Sequence, residues 1–207
     1  GPTLYLIVIR EEAIRRFIPE KYCEIYLEGL HNKTKIKAKH IYDRFKDQNK
    51  VNEILQKTKN KKAIVQEVKK SIYKQLPPAP FDLTTLQTEA FRLLNLLPKD
   101  TAQLAQSLYI SGLISYPRTS SQKLPQTINY YKILKKLETQ KEYAKECQYL
   151  LTKKLKPQEG KKTDPAHPAI YPTGEKEKLT EKTAKLYDLI VRRFLAVFGE
   201  PAERETT

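Results

Sequence analysis

The sequence predicts a predominantly helical α+β chain, in which a small partial β domain precedes a helical domain with a winged-helix-like unit. Two short runs that alternate between apolar and polar residues flank Gly29 and Asn32, which is typical of a β-hairpin. Three prolines between Leu76 and Phe81 indicate a domain boundary. Beyond the prolines, apolar residues recur at helical spacing, and two helices are followed by a short extended run.

The elements before the prolines combine helices with short strands. In chain order the predictions are a strand or a helix over 4–9, a helix over 10–17, a hairpin from 22–30 and 33–40, a polar helix over 41–57 and a third strand over 62–73. Pro19 ends the first helix, because proline cannot continue one.

The elements after the prolines are mostly helical. Thr84 and Gln87 have the spacing of a capping box, and a second helix starts at Asp100 and ends near Gly112. Residues 113–119 (LISYPRT) predict a strand, so the order helix, turn, helix and strand is that of a winged helix-turn-helix. Further helices are predicted over about 126–137, over 141–155 and from Thr180 to Gly199, with an irregular segment over 156–178.

The charge indicates a polyanionic partner. The 207 residues carry 39 Lys plus Arg against 24 Asp plus Glu, a net charge of +15. A pI near 9.6 is typical of nucleic-acid binding, although a Lys-rich surface that only aids solubility fits as well. No apolar run of 18 or more residues and no signal segment is present. We therefore expect a soluble, cytoplasmic chain with no membrane partner.

The remaining composition excludes several classes of site. Cys23 and Cys147 lie far apart and outside any CxxC, so we expect two reduced core thiols and no zinc site. The sequence has no P-loop, no dinucleotide-binding GxGxxG and no HExxH. It contains no Met and begins Gly1-Pro2, so we expect a fragment or a processed product.

Two segments contain candidate catalytic or phosphate-binding residues, and the first is 116–121. In an extended Tyr116-Pro117-Arg118, the first and third side chains project to the same side. A tyrosine hydroxyl becomes a useful nucleophile beside a cation, and an arginine can clamp the phosphodiester under attack. The hydroxyls of Thr119, Ser120 and Ser121, which follow directly, are suited to neighbouring phosphates. The alternative is an edge-strand aromatic residue beside a surface cation.

The second segment is Asp164–Thr173 (DPAHPAIYPT). His167 lies between Ala166 and Pro168, and a stiff loop of this kind fixes the direction of the imidazole. An oriented imidazole can bind a phosphate or transfer a proton. The alternative is a loop histidine with no role in chemistry.

Four blocks of sequence, taken in order, resemble type IA DNA topoisomerases. The blocks are GPTLYLIVIREEAIRRFIPEKYCEIYLE, PPAPFDLTTLQTEAFRLLNLLPKDTAQLAQSLYISGLISYPRTSS, TDPAHPAIYPTG and KLYDLIVRRFLAVFGEPA. The resemblance implies that Tyr116 cleaves one DNA strand and keeps its 5′-phosphate, that Arg118 stabilises the transition state and that His167 holds the scissile phosphate. It also implies a helix, not a strand, over 4–9.

The resemblance further implies a division into domains. Residues 1–18 would be a helix leading in from an absent N-terminal part, 19–78 a partial β-rich gate domain, 79–200 the helical nucleophile-bearing domain and 201–207 the start of the return into the gate domain. Bacterial members of the family often have Asp at the position of Ser120 and Arg at that of Tyr171. Tyr171 and Thr173 are the further predicted DNA contacts, with that of Tyr171 in doubt.

The same resemblance implies that Mg²⁺ serves the full-length enzyme at a Toprim domain outside this chain, and that the fragment itself binds no cofactor. The expected partners are single-stranded DNA and the missing Toprim-containing part, without which the fragment would cleave poorly. The alternatives are a non-catalytic winged-helix nucleic-acid-binding module and a structural piece whose basic face meets an acidic protein.

Overall fold

The computed structural model describes residues 1–207 and contains seven helices and two two-stranded antiparallel sheets. In chain order the elements are α1 (Pro2–Arg15), β1 (Tyr26–His31), β2 (Thr34–Lys39), α2 (Gln48–Thr58), β3 (Ser71–Gln75), α3 (Leu83–Leu94), α4 (Pro98–Ile110), α5 (Tyr130–Glu138), α6 (Ala144–Leu151), α7 (Glu181–Ala196) and β4 (Ala202–Thr206). The chain forms two compact units, Gly1–Glu67 and Val68–Thr207. None of the helices has the length and apolar character needed to cross a membrane.

The first unit consists of α1, the hairpin β1–β2 and α2. The helical alternative for 4–9 is confirmed, and no residue of α1 is buried. The predicted hairpin is also confirmed, with pairing from Tyr26↔Lys39 to His31↔Thr34. Asn32 and Lys33 form its two-residue turn with φ of 48° and 67°, the left-handed conformation that a tight hairpin turn requires.

The helix predicted over 41–57 is wrong over residues 41–47. The carboxylate of Asp47 accepts a hydrogen bond from the Asn49 amide at 2.9 Å, so α2 starts at Gln48. Before that cap, Phe45 forms an isolated β-bridge with Cys23, which is incompatible with helical backbone. Cys23 is a free, half-buried thiol.

Of the strand predicted over 62–73, only the last three residues lie in a strand, as the start of β3 (Ser71–Gln75). Its partner β4 has only five residues, and the two pair from Ser71↔Thr206 to Gln75↔Ala202. The strand before the prolines and the end of the chain therefore belong to one sheet. Both strands accordingly lie in the second compact unit, Val68–Thr207. The domain functions suggested by the resemblance remain predictions.

The core of the second unit lies between α3, α4, α5, α6 and α7. Its largest fully buried side chains include Phe81, Phe194, Leu86, Leu108, Leu134, Leu137, Leu186 and Ile190. Cys147 is the predicted core thiol, and burial raises its pKa to about 11. This core fixes the helices from which the candidate site is built.

Several helix boundaries differ from the predictions. The capping box of α3 is formed by Asp82 and Thr85, not by Thr84 and Gln87. The helix α4 starts at Pro98, two residues before the predicted Asp100, because proline suits a first helical position. Thr180 is confirmed as the residue before α7. The two helices between them are shorter than predicted, over Tyr130–Glu138 and Ala144–Leu151.

The strand predicted over 113–119 is not formed, and the winged-helix-like unit that included it is not confirmed. The helix α4 ends as predicted near Gly112, whose φ is +70°. The following segment makes only one isolated bridge, between Ile114 and Pro172. To continue past this bridge the ladder would need an N–H from Pro117, which proline lacks, and the amide of Ile170 donates to the carbonyl of Phe81 at 2.8 Å.

Candidate active site

The two segments singled out from the sequence lie side by side. The amide of Ser115 donates to the carbonyl of Tyr171 at 2.9 Å, and the amide of Thr173 donates to the carbonyl of Leu113 at 2.9 Å. Ile170 donates to the carbonyl of Phe81 at 2.8 Å. These backbone bonds join chain segments about 55 to 90 residues apart and bring the His167 loop against the segment that contains Tyr116.

The half-buried ring of Tyr116 lies between two other rings. Its centroid is 4.6 Å from that of His167, with the planes tilted by 48°. Tyr109, on the last turn of α4, meets it edge to face at 5.3 Å. The structure thus brings Tyr116 and His167 together. Tyr109 was missed, although its position on a predicted helix seven residues before Tyr116 was the available signal.

Arg118 is exposed and lies where two surface grooves meet. One groove runs along the exposed face of α4, and the other runs past the start of α3. The residues that line the two grooves are Lys99, Ala102, Gln103, Gln106, Arg118, Asp82, Leu83, Thr84, Thr119, Ser120 and Lys162. Three of these side chains are cationic and one, Asp82, is anionic, so the lining carries a net positive charge and the pair of grooves is suited to a chain of phosphates.

The three hydroxyl residues after Arg118 differ in surroundings. Thr119 and Ser121 are buried, and each hydroxyl accepts from a backbone amide two residues on, at 3.0 and 3.1 Å. Ser120 is exposed and directs its hydroxyl to Asp164 at 3.3 Å. Ser120 is therefore the most accessible of the three, and their contact with DNA remains a prediction.

Tyr171 and Thr173 both help to hold the loop. Tyr171 is half-buried, and burial raises the pKa of its hydroxyl. Its amide donates a hydrogen bond to the hydroxyl oxygen of Ser115 at 3.0 Å. The hydroxyl of Thr173 donates to the carbonyl of Gly112 at 2.7 Å. Their predicted DNA contacts are not tested by this geometry.

The buried carboxylate of Asp82 lies beside the groove at the start of α3 and binds several of its neighbours. Asp82 is 1% exposed and accepts hydrogen bonds from Thr85, from Lys162 at 2.9 Å and from Gln122 at 3.3 Å. Burial alone would raise its pKa, but the hydrogen bonds from Thr85 and Lys162 outweigh burial and hold the pKa below its usual range. Sequence reasoning missed this residue because it placed the helix cap two residues later.

We expect Asp82→Ala to lower the free energy of unfolding by about 2–4 kcal/mol at neutral pH, because a helix cap and a charged hydrogen bond are lost together. The folded-state pKa is depressed, so the contribution is present above the unfolded pKa of about 3.9 and is lost as the pH falls through the folded value. Urea titrations from pH 7 down to pH 3 would measure the difference.

The matched control for Asp82→Ala is Asp100→Ala, an exposed acid in the first turn of α4. Its effect should stay within about 1 kcal/mol, the range of helix-dipole interactions at exposed positions. An equal loss in both variants, or a loss at Asp82 that does not shrink in acid, would contradict the assignment of Asp82 as a charged hub.

No group of three or more His, Cys, Asp or Glu residues could hold a metal ion.

Comparison with known proteins gives the family. The family model described as DNA topoisomerase matches residues 1–207. DNA topoisomerase 1 of Pyrococcus horikoshii is 47% identical over 210 residues, which cover 100% of this chain and 31% of the relative. DNA topoisomerase 1 of Methanocaldococcus jannaschii is 46% identical, with 99% of this chain and 27% of the relative covered. The chain spans about three tenths of the length of these relatives.

A solved structure agrees with the sequence comparisons. The full-length topoisomerase I of Thermotoga maritima matches 98% of this chain and 33% of its own, with a TM-score of 0.67 and 27% identity. The matched length, the fold and the family model all indicate the same relationship. The chain belongs to the type I DNA topoisomerase family.

Proposed function

We propose that this chain is the nucleophile-bearing part of a type IA topoisomerase, which cleaves and rejoins one DNA strand through a 5′-phosphotyrosine at Tyr116. The observation that carries the proposal is the position of Tyr116. The centroid of its ring lies 4.6 Å from that of His167. Arg118, two residues further along the chain, lines both cationic grooves. A nucleophile, a phosphate clamp and an imidazole are the parts that phosphoryl transfer to a side chain needs.

The proposed step conserves bonds and electrons. The Tyr116 hydroxyl releases its proton to solvent and its oxygen attacks the phosphorus, so a new P–O bond forms while the P–O3′ bond breaks. The leaving 3′ oxygen takes up a proton. Arg118 stabilises the negative charge that builds on the phosphoryl oxygens, and His167 orients the phosphate beside the phenol. Because one phosphoester replaces another, the reverse attack by the 3′ hydroxyl reseals the strand without an energy source.

We further propose the partners that this chemistry implies. Single-stranded DNA would follow the cationic grooves, and association with the nucleoid would follow from that binding. The chain spans about three tenths of its relatives, so we propose that the remainder of the enzyme supplies the carboxylates for Mg²⁺ and protonates the leaving oxygen. On this proposal the chain by itself binds DNA and cleaves it poorly.

The experiment that tests the proposal is the trapping of a covalent adduct. A single-stranded oligonucleotide labelled at its 3′ end stays attached if the protein holds the 5′-phosphate of the downstream piece. The labelled DNA is incubated with the chain alone and with the full-length enzyme plus Mg²⁺, then denatured, and the modified peptide is identified by mass spectrometry. Modification of Tyr116 supports the proposal. DNA binding without any adduct in the full-length enzyme would overturn it in favour of a non-catalytic binding module.

Salt should weaken DNA binding by the chain. Three cationic side chains line the grooves, and about three phosphate contacts to a single strand give a slope of log K against log salt near −2. Affinity should then fall about twentyfold between 50 and 200 mM salt, as measured by fluorescence anisotropy. Lys99→Ala should reduce the slope by about 0.7, whereas Lys185→Ala on α7 should not change it. A slope that is flat in the wild-type chain would contradict electrostatic binding.

A further inference from the structure

The carboxylate of Asp164 connects the His167 loop to the segment that follows Arg118. One oxygen, Oδ1, accepts from the amide of Ala166 at 2.9 Å and from the amide of His167 at 3.1 Å. The other, Oδ2, accepts from the amide of Ser120 at 3.4 Å and from its hydroxyl at 3.3 Å. A single side chain therefore contacts two segments that lie 44 residues apart in sequence.

Hydrogen bonds, more than burial, fix this part of the loop. His167 is exposed and Asp164 is only half-buried, so packing does little to hold either residue. Pro165 and Pro168 have no N–H. The two amides that the loop offers between Asp164 and Ala169 both donate to Asp164, in the manner of an Asx turn. The carbonyl of His167 adds a contact to the Thr119 hydroxyl at 3.5 Å, the limit of a hydrogen bond.

The charge state of Asp164 agrees with this geometry. The hydrogen bonds from the Ala166 and His167 amides, followed by those from Ser120, hold the pKa of the carboxyl below its usual range. At neutral pH the group is ionised and acts only as an acceptor. In all four of its hydrogen bonds, with Ala166, with His167 and twice with Ser120, the carboxylate of Asp164 is the acceptor, so the ionised form suits this geometry.

We propose that Asp164 is a positioning residue that sets the imidazole of His167 beside the phenol of Tyr116 and keeps Ser120 and the neighbouring Arg118 in register with it. The proposal rests on the proposed function of Tyr116, Arg118 and His167. It extends that function to a residue that contacts neither reacting ring. A reacting group displaced by about 1 Å can cost about a hundredfold in rate, so such an organiser has a measurable effect.

The first test measures position without DNA. The chain has three histidines, so His167→Gln assigns the ring signals of His167 in an NMR spectrum. We expect nuclear Overhauser contacts between the His167 and Tyr116 rings in the wild-type chain, because the centroids are 4.6 Å apart. Asp164→Ala should abolish them while circular dichroism stays unchanged. Contacts that persist in Asp164→Ala would overturn the proposal.

A second variant distinguishes the roles of the two carboxylate oxygens of Asp164. Asp164→Asn keeps one acceptor for the Ala166 and His167 amides, but its NH₂ group cannot accept from Ser120. We expect the ring contacts to survive and the amide signal of Ser120 to shift. Asp188→Asn on α7, which removes the same charge from a carboxylate paired with Arg192, should change neither signal. An unchanged Ser120 amide in Asp164→Asn would contradict the bridge to that segment.

The second test measures rate in the full-length enzyme. Asp164→Ala should lower the single-turnover rate of adduct formation at least about tenfold, with DNA affinity changed less than about twofold. An unchanged rate, or a loss confined to affinity, would overturn the positioning role. If the wild-type enzyme forms no adduct, the proposed function fails, whereas the ring contacts still decide whether Asp164 sets the position of His167.

Discussion

Tyr116→Phe is expected to abolish the covalent DNA adduct in the full-length enzyme. The substitution removes only the phenolic oxygen, which the proposed mechanism uses to attack the phosphorus. The ring contacts with His167 and Tyr109 remain available to phenylalanine, so the fold and DNA affinity should be unchanged. The measurement is the amount of 3′-labelled DNA bound to denatured protein after a long incubation.

The chain offers a matched control for this loss. Tyr109→Phe removes the same atom from the ring that meets Tyr116 edge to face, and it should still form the adduct. Thermal unfolding of both variants should agree with that of the wild type, since a half-exposed tyrosine that loses its hydroxyl shifts stability by no more than about 0.5 kcal/mol. An adduct in Tyr116→Phe, or its loss in Tyr109→Phe, would mean that the nucleophile has been assigned to the wrong residue.

Arg118→Ala is expected to slow adduct formation by about a hundredfold to a thousandfold, the cost of removing one donor that stabilises charge in a transition state. Arg118→Lys should recover part of the rate, because lysine keeps the charge but not the bidentate geometry. Single-turnover measurements at saturating DNA would separate this effect from binding.

The control for Arg118 is Arg92→Ala. Arg92 lies on α3, is exposed and pairs with Glu89, so its removal changes the net charge equally without touching the grooves. Its adduct rate should equal that of the wild type. If Arg118→Ala lowers affinity at low DNA concentration but leaves the saturated rate intact, then Arg118 is a binding residue and the charge that builds on the phosphate is stabilised by another group.

The helices and the short list of chemical residues were predictable because their signals are local. The spacing of apolar residues and the position of Thr180 predict α7, and Gly112 marks the end of α4. The hairpin follows from two alternating runs around Asn32, where the turn needs a positive φ. Tyr116, Arg118 and His167 could be selected as candidates by residue type within proline-stiffened segments, whereas their roles are implied by the resemblance to type IA topoisomerases and remain predictions.

Tertiary structure decided what those residues contact. A strand exists only where a partner supplies donors and acceptors, so the run over 113–119 has strand-like alternation but forms a single bridge to Pro172. The same requirement limits β3 to the five residues that face β4. The contact between Tyr116 and His167, and the bridge from Asp164 to Ser120, join positions 51 and 44 residues apart. No local pattern encodes such a pairing, because it arises when the shared core brings the two segments together.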